Sequence, residues 1–553
     1  MLHFTLPDNS ELQLPVGSNL VTIAKLALNV QSPIVEATLN GKPIDLQTPL
    51  THGGKVGFLE MNTEEGMRIY LRTLLCMLVA TTEKLYPGTH LEVRCTLGSA
   101  LYIDCSTTPL NYRAWQKIEQ AMHDYVIAKE PIRMHYISRD EAIKIAHERG
   151  FVETNELMLR NVPEDAKLPI YDFINYDGFY FGSLCPDAGY VPLFEIIPYG
   201  KGIVLNYPDV GTYNELPPFK DEALLQDAFQ KVEEWSELVG CGTLVELNKL
   251  IHNGGANRMI LMAEAWQHRK LTEIAHLVAQ RKNELKIILI AGPSSSGKTS
   301  TAQRLSIELA VDGLKPLPIS MDDYYVNRVD TPKKPNGEYD YECLEAIDVS
   351  LFNEHLNKLL AGEEVELPKY NFKSGMREYR GNRIKMTENS VLIIEGIHGL
   401  NEKLTATIPS ERKLKIYVSA LTPMSINIHT RINTTNVRLL RRMVRDNQFR
   451  GHDAKKTLAT WQSVREGENK YIFPFQGDAD VIFNSTLLYE LAALKRYAEP
   501  LLKDVTPEDG DIYTTAQKLL VLLSFVDCVD EDFIPNDSII KEFIGGSVFK
   551  EVL

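Results

Sequence analysis

The chain has 553 residues, 44% hydrophobic and 24% charged, enough for about three or four domains with ordinary cores. A net charge of −15 argues against a whole-protein nucleic-acid binder, although a local basic patch survives that objection. Seven scattered cysteines without a C-x-x-C pair read as reduced thiols rather than a disulfide framework or metal site. Met1 to Asp8 lacks the basic and apolar regions of a signal peptide. The best apolar run, Leu519 to Val526, is far short of the roughly 18 residues a membrane span needs. A soluble, cytoplasmic protein is expected.

Residues 1–61 alternate like short strands at His3-Phe-Thr-Leu6, Glu11-Leu-Gln-Leu14 and Val35-Glu-Ala-Thr-Leu39, before a turn at Asn40-Gly41-Lys42-Pro43. A helix is expected from Asn19 to Leu28. The phrases VEATLNGKPIDLQTPL and GGKVGFLEMN resemble the TGS domain, a β-grasp fold found at the front of threonyl-tRNA synthetases.

Asn62-Thr-Glu-Glu65 reads as a capping box opening a helix to about Leu85. Residues 62–220, through EEGMRIYLRTLLCMLVATTEKLYPG and GSLCPDAGYVPLFEIIPYG, resemble the α+β editing-type domain of threonyl- and alanyl-tRNA synthetases. In that family the first helix presents two histidines four apart, and the later segment a cysteine and a histidine. The matching positions here hold Arg72, Cys76, Cys185 and Gly189. Two thiols without an imidazole make a poor hydrolytic or zinc site. The region therefore reads as a scaffold that has lost its editing chemistry, with Cys76 and Cys185 as buried apolar thiols. RNA or tRNA is the partner this resemblance offers.

Residues 221–283 read as a helical connector: Asp221 to Leu238, a break at Gly240-Cys241-Gly242, then Asn257 to Lys282. It is expected to pack against the C-terminal part of the chain, with His252, His268 and His276 as ordinary satisfied histidines.

Residues 284–553 alternate apolar strands and helices, the pattern of a doubly wound parallel sheet in an α/β fold. Lys286 to Ala291 is a short buried strand and Thr299 to Leu309 an amphipathic helix. Between them Gly292-Pro293-Ser294-Ser295-Ser296-Gly297-Lys298-Thr299 fits G-x-x-x-x-G-K-[ST] at every fixed position. Glycines let successive N–H groups face a phosphate, and the helix N-terminus, with Ser300 beside it, adds partial positive charge. Lys298 is assigned to the β/γ-phosphates and the Thr299 hydroxyl to Mg²⁺. The pattern implies a nucleoside triphosphate site.

A second strand, Lys315 to Ser320, ends in Met321-Asp322-Asp323-Tyr324-Tyr325. Groups just beyond strand ends face the ligand crevice, and a carboxylate there can take the proton of an attacking hydroxyl. Asp322 is the expected base; Asp323 instead caps the next helix or binds the loop. A third strand, Ser390 to Ile394, ends in Glu395, a Walker-B-like acid that orients Mg²⁺, commonly through water. Arg438, Arg442 and Arg445 fall at i, i+4 and i+7 and so share a helix face. With Arg450 they read as a lid over the phosphates, where guanidinium forks stabilise the charge of phosphoryl transfer. An N-K-x-D guanine-reading motif does not occur; the nearest, Asn327-Arg-Val-Asp330, lacks the lysine.

GPSSSGKTS, ISMDDYY, LPKYNF, VLIIEGIHGL and RLLRRMVRDNQFRG occur in the order and spacing of the uridine kinase family, P-loop kinases close to phosphoribulokinase. The resemblance covers residues 284–490. It implies Asp322 as catalytic aspartate, Tyr325 as a sugar-side tyrosine, and Tyr370 and Phe372 as base-stacking aromatics. It further implies Glu395 near metal and substrate, and Arg442, Arg445 and Arg450 as lid arginines. There are departures. Tyr341-Glu342 stands in the family's F-D-H-P-D-A-F-D segment, so Glu342 replaces the aspartate that holds the ribose hydroxyls. Gly375 replaces a histidine that touches the pyrimidine, Asn371 the aspartate of Y-D-F, and His452 a lid arginine. The expectation is an ATP- and Mg²⁺-dependent kinase acting on the 5′-hydroxyl of a ribonucleoside. A phosphoribulokinase-like sugar-phosphate kinase and an RNA- or tRNA-associated nucleotide switch remain the alternatives. A homo-oligomer stays open, and Asn536 to Leu553 reads only as packing.

Overall fold

Five short strands in the first sixty residues pair into one sheet in the order Glu11–Leu14, Leu2–Thr5, Gly54–Glu60, Ile34–Leu39, Lys42–Ile44. The first and last strands of the module run parallel at its centre and the other pairs are antiparallel, the β-grasp topology. Asn40 and Gly41 both take positive φ (53° and 80°), which matches a tight hairpin turn to the strand twist. The helix here spans Val21–Leu26 and seals a core of Phe4, Leu20, Ile34, Leu39 and Val56. This computed structural model describes residues 1–551 apart from 27–29, 99, 106, 150–156, 158–160, 181, 211, 335–336 and 428, so the expected end of that helix at Leu28 lies outside the described residues.

The helix Glu64–Leu85 starts one residue later than a cap at Asn62 requires. The Thr63 hydroxyl is the cap, accepting from the Gly66 N–H at 3.0 Å, so Glu65 cannot reach back as a capping-box partner. Two antiparallel sheets flank this helix. One runs Glu195–Tyr199, Gly202–Asn206, Ala100–Asp104, Glu92–Leu97; the other Tyr176–Gly178, Lys167–Phe173, Arg133–Ser138.

The connector holds three helices, not two: Ala223–Val239, Leu244–His252 and Ala256–Gln280. Gly240 ends the first with φ 70°, and a Thr243–Glu246 capping box opens the second. That short helix was hidden between two glycine-containing breaks. Leu247, Ile260, Leu271 and Ala275 share one core with the C-terminal sheet. His252, His268 and His276 face Asp527, Glu308 and Asp312 at 2.8, 3.3 and 3.8 Å on the surface.

The C-terminal sheet is five-stranded, ordered Lys315–Ser320, Ser390–Glu395, Ile287–Ala291, Lys413–Ser419, Val481–Asn484, and every pairing is parallel. Both faces are covered. Ile288 and Ile290 pack under Leu305 and Leu309, while Ile287 and Leu289 pack against Phe352 and Leu356. This is why the strand reads as continuous apolar sequence rather than alternation. No described helix is long and apolar enough to cross a membrane.

Candidate active site

The central strand delivers its chain end into the crevice as the phosphate loop. A Cβ at Gly292 would lie 2.0 Å from the Val418 carbonyl oxygen, and Gly297 has φ 85°, so neither position accepts another residue. Ser295 holds a left-handed φ of 57° without being glycine, strain that the loop's other contacts must hold in place. The Lys298 ammonium donates to the carbonyls of Gly292 and Pro293 at 2.9 and 3.1 Å. Burial lowers its pKa, against the opposing pull of Glu395 and Asp322. The hydroxyls of Ser295 and Ser296 are buried with no partner among the described residues. Such unmatched donors beside a lysine and a helix N-terminus fit triphosphate oxygens. Thr299 is exposed at the head of the helix Lys298–Val311, and Ser300 is buried behind it.

Asp322 occupies a single 3₁₀ turn, Met321–Tyr324, beyond the edge strand Lys315–Ser320. Its side chain is open to solvent yet lies deep between protein walls. That surrounding raises its pKa, with Lys298 opposing and Asp323 reinforcing the shift. Asp323 accepts from the Tyr370 N–H and the Lys369 ammonium, both at 3.2 Å, which makes it a strut for the loop. Glu395 ends the strand between these two, takes a hydrogen bond from the Ser320 hydroxyl at 3.3 Å, and is pushed to about 7 by burial and then by Asp322. Two carboxylates crowding one lysine suit a divalent cation. No described group of three or more His, Cys, Asp or Glu could hold one, so any ion here would take few protein ligands, the habit of Mg²⁺ bound largely through phosphates and water.

On the far side of Asp322 opens a cavity of about 420 Å³, lined by Tyr325, Arg328, Tyr339, Tyr341, Tyr370 and Phe372. Ring centroids lie 5.6 Å apart for Tyr325–Tyr370, 5.1 Å for Tyr370–Phe372 and 6.1 Å for Tyr325–Tyr341, all edge-to-face. Tyr370 is buried, whereas Phe372 at the rim is 61% exposed. The Tyr325 hydroxyl donates to the Tyr341 carbonyl at 3.1 Å. Glu342 comes next after Tyr341 and is pushed to about 7 by burial, then by Glu468 and Asp322.

The arginine helix, Thr434–Arg450, divides its cations differently from the helical-face expectation. Arg438 is buried and ion-paired with Glu468, and its Nε donates to the Ser294 carbonyl at 3.0 Å. It braces the loop and is not a lid residue. Arg441, not anticipated, is also buried, pairing with Glu490 and donating to the Ser485 carbonyl at 3.0 Å. Arg442 donates to the Ser294 hydroxyl at 2.8 Å and so faces the loop, while Arg445 meets Glu542 at 3.4 Å. Arg450, half exposed, donates to Asp446 at 3.1 Å. No motif pointed to Glu468, whose carboxylate accepts the Ser294 N–H at 2.8 Å, nor to Glu542, which accepts from the Ser300 hydroxyl at 2.6 Å. Glu542 belongs to the segment expected only to pack.

Among the described residues, the synthetase-like region presents no second catalytic constellation. Arg72 donates to the Ser183 carbonyl at 2.7 Å. Cys76 and Cys185 are fully buried, and burial pushes both thiols to about 12.

A phosphate loop at the centre of a parallel sheet, with Glu395 ending the neighbouring strand and Asp322 just beyond the strand after that, defines a P-loop phosphotransferase site. Comparison with known proteins agrees. Residues 287–488 match the Phosphoribulokinase / Uridine kinase family. A uridine kinase of Borrelia duttonii is 30% identical over 233 residues, covering 40% of this chain and 97% of that protein. The chain belongs to the phosphoribulokinase/uridine kinase family, which makes this part of it a nucleoside- or sugar-kinase domain that works with ATP. A threonine–tRNA ligase of Desulforamulus reducens is 24% identical over 240 residues, 42% of this chain and 37% of the ligase; the chain spans about a third of the length of the ligases it matches. Among solved structures, one described as a possible uridine kinase from Bacillus stearothermophilus is similar at 19% identity and a TM-score of 0.24, covering 36% of this chain and 89% of that one.

Proposed function

We propose that the protein transfers the γ-phosphoryl group of ATP to the 5′-hydroxyl of a ribonucleoside, giving a nucleoside 5′-monophosphate and ADP, in the cytoplasm. The observation that carries this reading is the position of Asp322, reached from the Lys298 side by phosphate and from the aromatic cavity by an acceptor. Asp322 accepts the proton as the hydroxyl oxygen attacks phosphorus. Lys298, with Arg442 and Arg445, meets the charge spreading over the transferring group, where fixed cations in a water-poor crevice act most strongly. Glu342 accepts the ribose hydroxyls, Tyr325 and Tyr341 flank the sugar, and Tyr370 and Phe372 form the aromatic shelf on which the base stacks. Thr299 and Glu395 would hold Mg²⁺, which supplies neutralisation of the phosphates.

A sugar phosphate needs no ring shelf, so the aromatic lining favours a nucleoside over phosphoribulokinase-like action. A nucleotide switch tied to RNA or tRNA needs no base such as Asp322 beside a second cavity. The deciding experiment is a panel of ribonucleosides and ribulose 5-phosphate, each incubated with ATP and Mg²⁺ and scored for phosphorylated product. Product from a nucleoside supports the reading. Product from ribulose 5-phosphate alone, or from nothing in the panel, overturns it.

A further inference from the structure

Among the described residues, Arg328 is the one cation lining the aromatic cavity. It comes after the Asp322 turn in a short 3₁₀ segment, Arg328–Asp330, and two contacts fix it to the hairpin that carries Tyr370 and Phe372. Its backbone N–H donates to the Gly375 carbonyl at 2.8 Å, and its Nη2 donates to the Phe372 carbonyl at 2.6 Å. The guanidinium lies flat against Gly375. A Cβ at that residue would sit 2.7 to 2.9 Å from Nε, Cβ and Cζ of Arg328, and its φ is +71°. Only glycine leaves room for the cation. Among the described residues the guanidinium's partner is a neutral carbonyl, which leaves its charge and its remaining N–H groups for a ligand.

A second, independent feature belongs to the same lining. Tyr370 is 4% exposed, yet its hydroxyl is buried with no partner among the described residues. A buried hydroxyl without a partner is uncommon unless something else completes it. The cavity therefore offers a donor-only fork beside a group able to accept.

The geometry points to Arg328 as the residue that reads the base, selecting a nucleoside whose base presents a lactam edge: a carbonyl oxygen next to a ring N–H. The carbonyl accepts from Arg328 and the ring N–H donates to the Tyr370 hydroxyl. Uracil and hypoxanthine carry that edge. Cytosine and adenine carry an exocyclic amine in its place, which turns a donor toward a donor-only cation; the Tyr370 hydroxyl can donate to their bare ring nitrogen, so the discrimination falls on Arg328. Specificity of this kind comes from the unpaired group in the wrong complex as much as from the bond in the right one. A single fixed cation among several rings suits a neutral base edge better than a phosphate, which favours clustered cations.

This assignment rests on the nucleoside kinase reading, and the test separates the two. The full chain is assayed with ATP and Mg²⁺ on two matched pairs, uridine against cytidine and inosine against adenosine, and nucleoside binding is measured by calorimetry without ATP. Wild type is expected to favour the lactam member of each pair by at least about ten-fold in kcat/KM. Arg328→Gln, whose amide can turn either way, should collapse the ratio to within about three-fold, mainly through KM. Arg328→Lys, keeping the charge without the fork, should recover part of it. Equal use of both members by wild type, or an unchanged ratio in Arg328→Gln, overturns the assignment. If no nucleoside is phosphorylated, the kinase reading fails and calorimetry decides the role of Arg328. Uridine heat that disappears in Arg328→Gln sustains it, and absence of uridine heat in wild type overturns it.

Discussion

Asp322, Glu342 and Glu395 share one crevice, and burial is the first cause of the upward shift in each. Their roles separate by neighbour. Asp322 stands between lysine and cavity, so Asp322→Asn should keep nucleotide affinity and lose about two to four decades of turnover, the usual range for a general base. A loss confined to nucleotide binding would place it on the phosphates instead. Glu342 sits near 7, so it is protonated below that pH and ionised above it. The ionised form accepts from two hydroxyls through both oxygens with full charge, whereas protonation turns one oxygen into a donor. The nucleoside KM should therefore fall as pH rises from 6 to 8, and lie flat in Glu342→Gln; a pH-independent wild-type KM would remove Glu342 from the ribose. The places of Lys298, Thr299 and Asp322 were legible because backbone spacing alone puts the first two at a helix start and the third just past a strand end. Arg328 was not, because its meaning depends on Gly375 in a hairpin that local sequence does not bring near it.

The arginine helix shows what periodicity can and cannot tell. The spacing of Arg438, Arg442 and Arg445 correctly implies one broad face, but that face meets buried Glu468 at one end and the phosphate loop at the other. Periodicity fixes the angle around a helix and not the depth. The short helix Lys541–Ile544 makes the same point more sharply. It carries no motif, yet Ile539 abuts Gly297 and Phe543 lies under the guanidiniums of Arg441 and Arg445, at 5.1 and 6.0 Å. Between them Glu542 places a carboxylate on the Ser300 hydroxyl, in the first turn of the phosphate-loop helix, where a helix favours an anion. A bound triphosphate brings like charge to that end. Glu542→Gln should accordingly tighten ATP binding by about two- to ten-fold, the scale of one charge at a helix terminus, in a titration with a fluorescent ATP analogue. Weaker binding would mean instead that Glu542 holds Ser300 and Arg445 in place for the nucleotide.

At the scale of the whole molecule, the order of the modules was legible from local phrases, but their docking was not. The N-terminal half is fastened to the kinase part by ion pairs between residues hundreds of positions apart. Lys518 meets Glu65 at 2.8 Å and Glu36 at 3.9 Å. Arg465 bridges Glu64 at 3.5 Å and Glu468 at 2.9 Å, so one arginine touches both the first helix of the synthetase-like region and the acid that braces the phosphate loop. Such a connection ties that region to the wall of the phosphate loop, and its chemistry can be tested directly. Arg72 fills the space opposite Gly182, where even a Cβ would come within 2.7 Å of the guanidinium. Burial pushes Cys76 and Cys185 to about 12, which keeps them protonated at neutral pH and works against a nucleophilic role. Arg72 and Gly189 stand where the resembled editing site carries imidazoles, and a metal-bound water needs more ligands than remain. The full chain incubated with threonine-specific tRNA charged with serine should release serine no faster than spontaneous hydrolysis. Faster release, abolished by Cys185→Ala, would show a remodelled editing site in place of a silent one, and would make tRNA a substrate of the N-terminal half.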